Sequence, residues 1–128
     1  MAGQIVIKAG QVEVRAELND TQTAQAIWQA LPIEGKVSTW GDEIYFSIPV
    51  SLETERGQEV VEMGDLGYWA PGTAFCIFFG PTPASRGEEI RPASAVTVFG
   101  RVTSDCAVLK SVADGARIVV ERAQEEEK

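Results

Sequence analysis

Residues 73–79, Thr-Ala-Phe-Cys-Ile-Phe-Phe, are apolar on both faces of any strand they form. Successive side chains of a strand point to opposite sides of the sheet, so this one must be covered twice. A barrel wall meets that demand, with the interior on one side and a helix or loop packed outside on the other. The rest of the chain has to supply both covers.

Alternating strands supply the interior. Residues 4–9 and 11–18 read as two strands turning at Gly10. In the second, Val12, Val14, Ala16 and Leu18 face one way and Gln11, Glu13, Arg15 and Glu17 the other, which gives one buried and one wet face. Asn19-Asp20-Thr21 offers three N-caps for a helix running to about Leu31, where Pro32 stops it. Ala24, Ile27, Trp28 and Leu31 form its apolar stripe, so Trp28 reads as a core plug and not as a ligand platform. Further strands are expected at 36–40 and 43–48 around a Gly41-Asp42 turn, with Ile44, Phe46 and Ile48 on one face. A short one begins at Val60-Val61, and another spans Leu66 to Trp69 between the turn signals Gly64-Asp65 and Pro71-Gly72. The last two lie at 96–103 and 116–122. Residues 51–58 read as an exposed loop or edge, and a short helix around 105–111 takes Ser104 or Asp105 as its cap. About eight strands and two helices without a βαβ rhythm give a mainly β fold: a closed eight-stranded barrel capped by two short helices. Such a barrel is filled by its own side chains and has no sticky edges.

A chain of 128 residues can bury one sizeable core, so a single barrel domain is expected over 1–123, followed by a frayed acidic tail at 124–128. The net charge of −8, from 19 acidic and 11 basic side chains, repels phosphate backbones and anionic membrane surfaces, so neither is expected as a partner. No stretch approaches the ~20 apolar residues of a membrane span. Met1-Ala2-Gly3-Gln4-Ile5 lacks the pattern of a secretory signal, and the expectation is a soluble cytoplasmic protein. Two cysteines, Cys76 and Cys106, are too few for a disulfide framework and read as free structural thiols.

The absence of histidine removes imidazole bases, the commonest triads and many zinc sites. Ser85 lacks a Gly-x-Ser-x-Gly elbow, and no glycine-rich phosphate loop is present. Asp42 and Glu43 are adjacent, so in an extended chain they point to opposite faces. Glu53 and Glu55 can share one, but no ligand or base is at hand for them. All four read as solvated carboxylates. No cofactor and no metal site follows.

The segment 80–95 is the longest irregular piece, with three prolines and two glycines. Connections of this length in a compact domain are disproportionately functional. The aromatic set Trp40, Tyr45, Tyr68, Trp69, Phe75, Phe78 and Phe79 either lines an apolar pocket or fills the barrel. Core is the plain reading of the three phenylalanines, whereas Tyr68 and Trp69 carry polar handles beside a Pro-Gly turn. Arg86 and Arg91 either present a guanidinium to a carbonyl or carboxylate, or pair with Glu88 or Glu89. A pocket near this segment is expected to involve Tyr68, Trp69, Phe78, Pro81, Thr82, Arg86 and Arg91.

Gly64-Asp65-Leu66-Gly67-Tyr68-Trp69 and Phe75-Cys76-Ile77-Phe78-Phe79-Gly80-Pro81-Thr82-Pro83-Ala84-Ser85 resemble the small cyclophilin-like proteins of bacteria and archaea, a family of unknown function. Leu18-Asn19-Asp20-Thr21, Trp40-Gly41-Asp42-Glu43-Ile44-Tyr45-Phe46 and Val98-Phe99-Gly100-Arg101-Val102 agree with it, so the resemblance covers nearly the whole chain. It implies an eight-stranded barrel with two helices, related to peptidyl-prolyl isomerases. The arginine- and histidine-containing active-site pattern of those enzymes is not visible here, so no catalytic residue transfers. Three readings stay open: a module binding a peptide or small molecule near 80–95, a divergent prolyl isomerase using Arg86 or Arg91, and an interaction protein or homodimer.

Overall fold

In the computed structural model, which describes residues 3–123, β1 (Gln4–Ala9) and β2 (Val12–Leu18) form the first hairpin. Gly10 opens its two-residue turn at φ +58°, a backbone that costs glycine nothing and other residues a clash. Val14, Ala16 and Leu18 are buried and the residues between them exposed, as the alternation requires. Helix α1 (Gln22–Ala30) follows, capped by Thr21, whose hydroxyl accepts from Ala24 N at 3.0 Å. A second cap comes from a distance. The Glu55 carboxylate accepts from the backbone N–H groups of Gln22 and Thr23 at 3.2 and 3.1 Å, placing negative charge at the positive end of the helix. The 51–58 stretch is thus exposed loop, but Glu55 in it is tied down.

The remaining strands are β3 (Ile33–Lys36), β4 (Ser38–Thr39), β5 (Glu43–Ser47), β6 (Asp65–Trp69), β7 (Ala74–Phe78), β8 (Thr97–Val102) and β9 (Arg117–Arg122). All pairings are antiparallel, in the order β3-β9-β1-β2-β8-β6-β7-β5-β4. The two outermost strands are consecutive in the chain. β3 pairs with β9, the Val37 N–H donates to Ala116 O at 2.8 Å, and from Ser38 the same segment pairs with β5. Counted as one staff bent at Val37, β3 and β4 bring the number to eight and curl the sheet back on itself. This staff begins at Ile33, directly after Pro32, earlier than the expected 36–40. Val60-Val61 forms no strand; Val61 makes one isolated bridge with Ile90.

The interior is built on Phe75. Its ring lies 5.1 Å from that of Phe46 and 5.0 Å from that of Phe99, the latter edge-on, a geometry favoured by the ring quadrupoles. Ala24 and Ile27 of α1 and Leu109 of the 3-10 helix Cys106–Ser111 join the same core. Asp105 caps that second helix, accepting from Ala107 N at 3.0 Å. Trp28 is only half-buried, with the Arg122 guanidinium 4.6 Å above its ring; it flanks the core where the stripe predicts a plug. No described helix is long and apolar enough to cross a membrane.

Tyr68 also lies fully inside the barrel. Its hydroxyl donates to Val50 O at 2.7 Å and accepts from Leu52 N at 3.1 Å, anchoring the start of the 51–58 loop. Tyr68→Phe strands both backbone groups and is expected to cost about 1–3 kcal/mol. Phe75→Ala, which opens a cavity at the centre, is expected to cost about 3–5 kcal/mol. Urea unfolding of the two variants beside the parent protein measures both.

Candidate functional site

β7 sends Phe75 and Ile77 inward and Ala74, Cys76 and Phe78 outward, and all five are buried. The outer cover is a second apolar cluster in which Ala74, Cys76 and Phe78 meet Val61, Ile90 and Val96. The irregular 80–95 segment is therefore the lid over the outer face of β7, and it is fastened at several points. Pro81 O accepts from Asp42 N at 2.9 Å, Ile90 O accepts from Val61 N at 2.9 Å, and Ser94 Oγ accepts from the Trp69 indole at 2.7 Å. Inside it, Thr82 and Ser85 hold the turn: the Thr82 hydroxyl donates to Arg91 O, and Ser85 Oγ accepts from Thr82 N and Arg91 N at 2.9 and 3.1 Å. Glycine is required opposite. A Cβ on Gly41, at φ +61°, would stand 2.9 Å from Thr82 Cα.

These contacts redistribute the expected site residues. Tyr68 lies in the barrel and Phe78 in the outer cluster, both fully buried with no face left for a ligand. Thr82 is buried and its hydroxyl is used within the segment, while Pro81 is exposed. Arg91 grips Glu89 with two nitrogens, at 2.7 and 3.3 Å, and has Glu59 at 3.9 Å; this is the paired arginine of the plainer alternative. The Arg86 side chain is exposed and enters none of the described ion pairs. Of the seven residues, only Trp69 borders the cavity described next.

That cavity lies where the lid stops short of the barrel. It encloses about 290 Å3 and is lined by Trp40, Glu43, Tyr45, Trp69, Cys76 and Ala93. Register explains the grouping. Glu43 and Tyr45 leave β5 on its outer side, because Ile44 and Phe46 point in, and Tyr45 stands opposite Cys76 on β7. Trp69 ends β6 on the far side of β7, opposite Ala74. Trp40 comes from the β4–β5 turn and Ala93 from the lid.

Glu43 is the unexpected member. It reads as a solvated carboxylate in the sequence, yet it is only 6% exposed and enters none of the described ion pairs. Its surroundings are aromatic, and burial raises its pKa from 4.5 to about 7, the neighbouring Cys76 thiol acting less strongly in the opposite direction. Burial and the Glu43 charge together push the Cys76 thiol well above its ordinary range, so it stays neutral. Both cysteines are free thiols, Cys106 being half-buried. The sequence signal stops at the alternation with Ile44 and Phe46, which puts Glu43 on the outer face of β5; its burial follows from the pairing of β5 with β7, whose cover spreads to its neighbours.

A carboxyl whose pKa is higher in the folded than in the unfolded chain favours folding while protonated. Glu43's contribution is complete below its unfolded value of 4.5 and is lost as pH rises through about 7. The loss is on the order of 3 kcal/mol. Urea unfolding at about pH 5 and about pH 8 should show this decline in the parent protein and not in Glu43→Gln; equal declines would place the ionisation elsewhere.

Comparison with known proteins bears on the whole chain. The cyclophilin-like family matches residues 3–121. A hypothetical protein of Archaeoglobus fulgidus, known from a solution structure, is similar at 47% identity and a TM-score of 0.81, over 94% of this chain and 95% of that one. No curated protein matches. The two-faced β7 wall, the eight-staff barrel and this match agree, and the chain belongs to the cyclophilin-like family.

Proposed function

We propose that this cyclophilin-like protein is a binding module that takes a small ligand in the Glu43 cavity, under the edge of the 80–95 segment. The observation that carries the reading is a concave site walled by Trp40, Tyr45 and Trp69 that holds a buried carboxyl, Glu43, beside a neutral thiol, Cys76. Small-molecule sites have this composition, apolar walls with few polar groups to orient the ligand. A volume of about 290 Å3 lies just below the usual range for such sites, roughly 300–1,000 Å3, which restricts the ligand to a small one. The fastened lid supports binding without large rearrangement, because Ser94 fixes the Trp69 indole before any ligand arrives. The isomerase alternative draws no comparable support: Arg91 is occupied by Glu89, and Arg86 does not line the cavity.

A panel of small apolar and polar fragments, with Xaa-Pro peptides among them, added to 15N-labelled protein tests the reading. Hits are expected to shift the indole resonances of Trp40 and Trp69 and to leave that of Trp28, which does not line the cavity, in place. Ala93→Trp, at an exposed position, should fill the space and abolish the shifts. If no fragment moves Trp40 or Trp69 at millimolar concentration, the cavity is not a binding site. Faster cis–trans exchange of a bound Xaa-Pro peptide would replace binding by catalysis.

A further inference from the structure

Resting on the reading of the Glu43 cavity as a ligand site, we infer that its ligand is a small methylated ammonium ion, whose charge meets the Glu43 carboxylate and whose methyl groups meet Trp40, Tyr45 and Trp69. Three observations select this class. The first is charge. Glu43 is buried without a described cationic partner, although the chain pairs other carboxylates freely, among them Glu34 with Arg117 at 2.6 Å and Glu89 with Arg91 at 2.7 Å. A buried carboxylate left alone is costly, and a cation arriving from solvent relieves that cost. An anionic ligand would meet this carboxylate and a chain of net charge −8.

The second is the wall. Two indoles and a phenol surround the acid, and aromatic faces attract cations through their quadrupoles, tryptophan most strongly. The third is the scarcity of acceptors. Besides the carboxylate, the lining side chains offer as acceptors only the Tyr45 hydroxyl and a neutral thiol. A methylated nitrogen asks for few or none of these acceptors and gains methyl contacts with the indoles and the phenol that a primary ammonium does not make. A metal ion fits less well, since among the described residues no three carboxylate, thiol or imidazole groups converge. The volume of about 290 Å3 and the six-residue lining suit a free small cation and not a polymer.

Binding of the cation requires ionised Glu43, so affinity should rise with pH through about 7. The titratable groups facing Glu43 are Cys76 from β7, which stays neutral, and Tyr45 from its own strand; Trp40, Trp69 and Ala93 carry none. Between about pH 6 and about pH 8 the ionised fraction, and with it the affinity, should increase roughly tenfold.

The experiment compares choline with 3,3-dimethylbutan-1-ol, its uncharged carbon isostere, by calorimetry and by the Trp40 and Trp69 indole shifts at both pH values. Choline is expected to bind at least about tenfold more tightly than the alcohol, with the stated rise with pH, and Glu43→Gln should abolish both differences. The 15N spectrum of that variant reports whether its fold is kept, and Trp69→Leu gives an independent loss through the aromatic wall. Equal binding of choline and the alcohol, or choline binding unchanged in Glu43→Gln, overturns the ammonium assignment and leaves the cavity as a ligand site. So does failure of choline where fragments of the earlier panel succeed. Failure of every fragment together with choline removes the cavity reading as well. A trimethyllysine peptide binding more than about tenfold tighter than choline would move the cation onto a macromolecule and overturn the assignment to a free small ion.

Discussion

Phe75 and Phe78 leave β7 in opposite directions, and both are fully buried, one at the centre of the barrel and the other beneath the 80–95 segment. Burying one such side chain stabilises by about 1.5–3 kcal/mol, and β7 asks for this on both faces. The inner demand is met by a barrel of antiparallel strands around three phenylalanines in mutual contact, one pair tilted and one edge-on. The outer one is met by Val61, by Val96 next to β8, and by Ile90 of the 80–95 segment, which is too rich in proline to form a strand of its own. That segment has to be fastened by side chains and isolated bridges, which is why the hydroxyls of Thr82, Ser85 and Ser94 all bond within the protein, Ser94 at its surface. An irregular cover of this kind fits less closely than a sheet or helix, and the Glu43 cavity is the gap it leaves.

The charges sort along the same boundary. On the outside of the lid, half-buried Arg91 finds Glu89 and Glu59, and on the barrel surface Arg117 finds Glu34, an exposed pair of the kind that contributes little, a median of about 0–1 kcal/mol. Glu43 is the opposite case, a carboxylate under the lid with aromatic neighbours. Its raised pKa is the electrostatic mark of that burial. The same lid that keeps the outer face of β7 dry makes Glu43 sensitive to pH in the neutral range.

The barrel was legible because its determinants are local and periodic. The alternation in 11–18, the cap triplet before α1, the turn glycines Gly10 and Gly41, and the doubly apolar 73–79 each specify their element, and the observed strands follow them closely. The start of β3 was misjudged because the segment after Pro32 carries a glycine and two charged residues among its first four and shows no apolar run; it is held by pairing to β9, a long-range contact. The site was less legible for a related reason. Exposure of an outward residue depends on what a distant segment covers, so Glu43 looked solvated, and Tyr68, despite its hydroxyl, points inward because β6 registers it opposite Phe75. Trp69 was found because an indole next to a turn at the end of a strand has only the rim to go to.

The pairing of β1 with β9 has a mechanical consequence. Ile5 lies opposite Arg122, and Ala123 N donates to Gln4 O at 2.9 Å, so the first and last described strands run antiparallel with the start of β1 beside the end of β9. Force applied at those two ends acts across the strands and not along them. The hydrogen bonds between β1 and β9 then carry the load one after another, as in opening a zipper, and never all at once. A barrel held by an aromatic core is, along this one axis, soft: it opens at its seam under a low pulling force, and the strands behind it lose their neighbours in turn.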